Sequence, residues 1–249
     1  MKILLYIEFD GTNFYGYQIQ NNYRTVQGEI KKVVAKLFGE DARFIGPSRT
    51  DRAVHAKKYP ILLSNIKTTI PPDRVSKVFN VNLPEDIRVI ESFRVSEDFN
   101  IRYNVVGKTY SYKIRKSPYI SPIYRNYAYT VDYDIDIYKM QKAKYLFLGE
   151  KDFSGFMSQG SNPRNTVKTI YDIRIIEKDN FITIYINASG YLYNMVRIIV
   201  STLLDVSRGF IKEEDIVKVF ETGQRGKSMV IPGNGLYMES VEFKEIKLI

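Results

Sequence analysis

The chain switches repeatedly between two hydrophobic periods, and that switching limits what it can fold into. At the start, KILLYIEF sets Ile3, Leu5, Ile7 and Phe9 against Leu4, Tyr6 and Glu8, the period of two that suits a strand with one buried face, and the pattern breaks at Asp10-Gly11. From Thr25, placed to cap a helix, VQGEIKKVVAKLF brings Val26, Ile30, Val33, Val34 and Leu37 to one helical face and stops at Gly39. PPDRVSKVFNVNL opens with the prolines a helix entrance tolerates and presents Val75, Val78 and Phe79 together. Strand patterns follow at IRVIESFRV and at KTYSYKI, where Thr109, Ser111 and Lys113 alternate with Tyr110, Tyr112 and Ile114.

The second half repeats the plan. DIYKMQKAKYLFL reads as a helix closing at Gly149, and TIYDIRIIEKDNFITIYINA as a hairpin turning at Asp179-Asn180. YLYNMVRIIVSTLLDVSRG is a long apolar helix ending at Gly209; EEDIVKVFE is a short amphipathic one, and LYMESVEF a last strand. Strands and helices alternate in both halves without the strand-helix-strand rhythm of a Rossmann fold, so the expected class is α+β with antiparallel sheet. No low-complexity linker separates the halves, and no repeat shows at the level of residues.

With 249 residues the chain is long enough to bury a substantial core. The 37 Lys and Arg outnumber 28 Asp and Glu, and the resulting charge of +9 favours polyanionic partners such as nucleic acid. Having no cysteine excludes disulfides, iron-sulfur centres and thiolate catalysis; having one histidine excludes a multi-histidine metal site. No run of about 18 apolar residues is present, and Glu8 and Asp10 fall where a signal peptide would stay apolar, so a cytoplasmic protein without a membrane partner is expected.

Two motifs fail on inspection. GQRGKS would need a first glycine at position 221, which is Glu221, and it follows a helix where a phosphate loop follows a strand. Ser48, Asp51 and His55 have the composition of a hydrolase triad but lie too close in sequence to converge as a relay, and a packed histidine bonded to local backbone is the better reading. Asp51, between Arg49 and Arg52 in GPSRTDRAVHAKKYP, admits two readings: a solvated surface ion pair, or a carboxylate kept charged in a partly desolvated cleft, suited to act as nucleophile or base.

SRTDRAVHA resembles the signature GRTDAGVHA of the tRNA pseudouridine synthase A family, and the likeness continues along the chain. YIEFDGTNFYGYQIQNNYRTVQGEI resembles the family's opening strand, glycine turn and Gln-rich stretch; NVNLPEDIRV resembles its LPEDIRV segment. FNIRYNVVGKTYSYKI has the Phe-x-x-Arg, basic residue and Tyr-x-Tyr order, and FLGEKDFSGF is similar to FxGxHDFxxF. YLYNMVRIIVSTLLDVSRG and IPGNGLYMESVEF resemble the family's late helix and closing strand.

The resemblance implies a pseudouridine synthase fold, two ferredoxin-like halves sharing a central antiparallel sheet, with residues 1–104 carrying the catalytic Asp and 105–249 completing one catalytic unit. It implies isomerisation of uridine in tRNA, in the anticodon stem-loop, by a cytoplasmic homodimer that needs no cofactor and no metal. By the same resemblance Asp51 is the catalytic residue, Tyr110 stacks on the target uracil, Arg197 pairs with the carboxylate, and Leu236 lines the pocket. Arg49 joins the substrate-binding group, and Arg52, Lys57 and Lys58 are expected on the RNA backbone. Departures from the pattern include Ser48, Arg52, Tyr17 for tryptophan, Gly233 for alanine, and Ser201 and Ser207 for glycine. Ala53 replaces a glycine, and its methyl group is expected to force a different backbone angle beside Asp51. The alternatives are a synthase for another RNA or tRNA position, or an RNA-binding paralogue with impaired catalysis.

Overall fold

The computed structural model describes residues 1–246. In chain order the strands and α-helices are β1 (Lys2–Phe9), α1 (Val26–Phe38), β2 (Arg43–Ile45), β3 (His55–Ser64), α2 (Val75–Asn82), β4 (Ile87–Val95), β5 (Val105–Lys116), β6 (Tyr129–Val131), α3 (Ile137–Ala143), β7 (Gly149–Asp152), β8 (Val167–Lys178), β9 (Phe181–Ala188), α4 (Met195–Ser207), α5 (Glu213–Thr222) and β10 (Leu236–Phe243). The class is α+β. Two compact units divide the chain: Met1–Val106 together with the residues from Tyr237 on, and Gly107–Leu236.

In the first unit β1 lies between β4 and β3, antiparallel to both, and β2 pairs with the far end of β3. The start of β10 joins β3 in parallel, Tyr237 opposite His55 and Met238 opposite Ala56, so the ladder is mixed where the sequence suggested antiparallel pairing alone. β1 also departs from the expected single buried face. Leu4 and Tyr6 form a second core with Leu62, Val95, Phe99 and Ile101, because the segment after β4 folds back across that face. On the helical side, Val26, Ile30, Val33 and Val34 of α1 and Val75 and Phe79 of α2 are buried, and Phe38 meets Phe79 at 6.0 Å. Thr25 caps α1, its hydroxyl accepting from the Gly28 N–H, and the helix stops at Gly39.

The second unit is a ladder β5-β9-β8-β7, antiparallel throughout, with β6 added to β5 in parallel. β9 alternates strictly, burying Ile182, Ile184, Ile186 and Ala188. α4 is buried nearly all round, only Arg197 and Asp205 escaping full burial. It starts at Met195 and not at Tyr191 as the apolar run suggested, because Asn194 takes a left-handed φ of +60°. The expected helix before Gly149 is likewise shorter: α3 ends at Ala143 and tightens into a 3-10 turn over Lys144–Phe147.

Candidate active site

Asp51 lies in the loop between β2 and β3, half-buried, and the backbone around it is stitched to the segment following β1. The Tyr17 N–H donates to the Thr50 carbonyl at 3.0 Å, and the Ala53 N–H to the Phe14 carbonyl at 3.4 Å. The Asp51 carbonyl accepts from the Val54 N–H at 3.2 Å, closing a four-residue turn. Ala53, the third residue of that turn, has φ of +61°, the left-handed value that a type II turn reserves for glycine. The methyl group therefore leaves the glycine-like angle in place, against the expectation from sequence.

Two glycines make this close approach possible. A Cβ on Gly11 would stand 2.0 Å from the Val54 carbonyl oxygen, and one on Gly16, at φ of +91°, would stand 2.6 Å from that of Thr50. Tyr59 of β3 supports the loop from below, donating its hydroxyl to the Ser48 carbonyl and packing against Tyr17 with ring centroids 4.6 Å apart. Arg24 clamps the preceding segment through a bidentate pair with Asp86, at 2.6 and 2.9 Å. The DGTNFYG pattern signalled the glycines; Tyr59 and the Arg24–Asp86 pair carried no sequence signal of their own.

His55 is 3% exposed and accepts the Gly11 N–H on Nδ1 at 3.0 Å, with the Tyr237 ring stacked 4.7 Å away. This is the packed, backbone-bonded histidine anticipated over a hydrolase relay. Arg49 and Arg52 are both exposed on the Asp51 loop, and the Arg52 guanidinium covers the Tyr15 ring at 4.4 Å. Lys57 and Lys58 are consecutive in β3 and so face opposite ways. Each already meets a carboxylate, Lys57 that of Glu239 at 2.8 Å and Lys58 that of Glu91 at 3.0 Å.

The remaining site candidates belong to the second unit. Tyr110 points inward from β5, 7% exposed, with the Tyr191 ring edge-on at 5.1 Å. Arg197, in the first turn of α4, donates from Nε to the Ile231 carbonyl at 2.5 Å and from Nη1 to Asn194 Oδ1 at 2.7 Å. These two of its bonds go to neutral acceptors. Leu236 is buried at the start of β10. Tyr112 donates to the Pro232 carbonyl at 2.6 Å, and burial pushes its phenol well above the ordinary range, with Arg197 acting in the opposite sense. Lys108 was noted in the sequence only as the basic residue before Tyr-x-Tyr, yet burial pulls its ammonium down to about 8. Among the described residues no group of three His, Cys, Asp or Glu could hold a metal ion.

Comparison with known proteins covers nearly the whole chain. Residues 5–104 and 143–244 match the model of a family described as tRNA pseudouridine synthase. A tRNA pseudouridine synthase A of Clostridium botulinum (strain Eklund 17B / Type B) is 43% identical over 243 residues, 96% of this chain and 98% of that one. The Caldicellulosiruptor saccharolyticus enzyme of the same name is 42% identical over 245 residues, covering 97% and 99%. The one from Thermoanaerobacter sp. (strain X514) is 39% identical over 238 residues, covering 95% and 97%. A solved H/ACA RNP bound to a substrate RNA containing 2'-deoxyuridine aligns with 73% of this chain and 39% of its own at 14% identity, and its TM-score of 0.36 is too low to bear on the fold. These matches over nearly the full chain place it in the tRNA pseudouridine synthase family.

Proposed function

We propose that this chain isomerises uridine to pseudouridine in the anticodon stem-loop of tRNA, with Asp51 as the catalytic carboxylate. The observation that carries the reading is the presentation of Asp51: a half-buried acid on a loop pinned by three backbone hydrogen bonds and two close-packed glycines, flanked by exposed arginines. Such rigidity holds a reacting group at fixed geometry before substrate arrives. The reaction breaks the bond from N1 of uracil to the ribose and forms one from C5. The proton lost from C5 is balanced by one gained at N1, so no oxidant and no energy source enter.

Tyr110, Arg197, Leu236 and Arg49 are the substrate-binding residues, and both units are needed for turnover. Arg52 contacts backbone phosphate, and of Lys57 and Lys58, which face opposite ways, one serves the same end. The protein acts as a cytoplasmic homodimer. The left-handed φ at Ala53 favours an active enzyme over a binding-only paralogue, since the turn that carries Asp51 keeps the angle a glycine would give.

Tritium release from tRNA labelled at uracil C5 tests the reading. Wild-type protein is expected to release tritium, and Asp51→Asn to lose at least about a hundred-fold in turnover with tRNA binding retained. Mapping of pseudouridine in a deletion strain checks the position; loss confined to sites outside the anticodon arm would overturn that part.

A further inference from the structure

The segment from Phe14 to Thr25 carries an aromatic stack that the reaction as described does not use. The rings of Tyr15 and Tyr23 lie 4.0 Å apart at 26°, close to parallel. The Arg52 guanidinium sits 4.4 Å from the same Tyr15 ring. Two groups that close to one centroid must take opposite faces, so the order is Arg52, Tyr15, Tyr23, starting one residue from Asp51. Tyr15 is 37% exposed and Tyr23 50%, and since Tyr15 covers one face of the Tyr23 ring, that exposure falls on the remainder of the side chain.

A stack this exposed contributes little to folding, yet it is held rigidly. The Tyr15 N–H donates to the Arg24 carbonyl at 2.9 Å, Gln20 Nε2 to the Tyr15 carbonyl at 2.8 Å, and the Tyr17 N–H to Thr50. Arg24 is in turn fixed by Asp86. The residues between the two tyrosines, GYQIQNN, include no acid to repel phosphate, and exposed amides at Gln18, Asn21 and Asn22 can bond to base edges. A preorganised flat face with a cation at the other end of the column is what an unpaired nucleotide requires: π-surface for the base, positive charge for the phosphate.

Resting on the proposed action on tRNA, we propose that the outer face of Tyr23 is a stacking platform for an unpaired base near the reacting uridine, while Arg52 at the far end of the column holds the strand's phosphate. The platform selects uridines whose neighbours can leave the helical stack, and so acts on substrate choice and not on bond breaking.

The test uses the whole protein and an RNA stem-loop with 2-aminopurine at single positions flanking the target uridine. With wild-type protein, one flanking label is expected to be quenched on binding; in Tyr23→Leu, which keeps an apolar cover without a π-face, quenching is lost. The Kd of Tyr23→Leu is expected to rise about ten-fold, within the roughly five- to hundred-fold range of lost base-aromatic stacking, with the saturating single-turnover rate unchanged. Tyr23→Phe should match wild type on every count. If Tyr23→Leu binds and quenches as wild type does, the stack is a local clasp of the loop and the proposal is overturned. Absence of tritium release by wild-type protein would defeat the proposed function instead, and the quenching comparison, which needs only binding, would still decide the platform.

Discussion

Ala53 occupies a backbone region that costs an L-residue with a side chain about 1 to 2 kcal/mol, and it does so two residues from Asp51. Ala53→Gly relieves that cost but loosens the unfolded chain, so a net gain of about 1 kcal/mol in urea unfolding is expected, with turnover unchanged. Lys108 supplies a second prediction. Its ammonium sits at about 8 in the folded protein against an ordinary 10.5, so between those values the unfolded chain holds the extra proton and stability rises with pH. The full shift corresponds to about 3 kcal/mol as an upper bound. Burial shifts the phenols of Tyr17 and Tyr112 the other way, above 10.0, so beyond that pH the unfolded chain sheds protons first and stability falls. Unfolding measured from pH 7 to 11 is expected to show a maximum between these limbs, and Lys108→Met is expected to flatten the lower one.

At the scale of elements, α5 meets the rest of its unit through aromatic rings. Phe220 contacts Phe147, Phe153 and Phe156 at centroid distances of 5.9, 5.3 and 4.7 Å, and Phe153 is fully buried. The phenylalanines of FLGEKDFSGF are thus core residues, and Phe153→Ala is expected to cost about 3 to 5 kcal/mol in equilibrium unfolding. Where one hydrophobic period ran cleanly, the element was legible: α1, β4 and β10 have the extents that their patterns announce. β3 was not. Its Lys57-Lys58 pair breaks the alternation, and Pro60 argues against an inner strand. In the structure Pro60 lies opposite Tyr6 of β1, while along the other edge of β3 the pairing with β10 is at His55 and Ala56 and that with β2 at Leu62–Ser64, so the proline stands between those two stretches. For the candidate site, the motif around Asp51 and the glycines of DGTNFYG were readable, but the rest of the support was not: Tyr59 and the Arg24–Asp86 clamp act through contacts between residues far apart in sequence.

Across the molecule, an excess charge of +9 and exposed arginines at 49 and 52 make association with RNA an electrostatic process. Affinity for tRNA is expected to fall linearly on a log-log plot against salt, and Arg49→Ala to reduce the slope by about one, measured by filter binding across a salt series. No helix among the described residues is long and apolar enough to cross a membrane. The division into units has one further result. Residues 107–236 form a unit interposed within another, whose last strand begins to pair with β3 only at Tyr237 and Met238. During vectorial synthesis the interposed body can settle while the one that began first still waits for its closing strand. His55 and Ala56, which open β3, therefore gain their β10 partners only after the interposed unit has been made, and a chain halted before codon 237 leaves the His55 ring without the tyrosine that stacks on it.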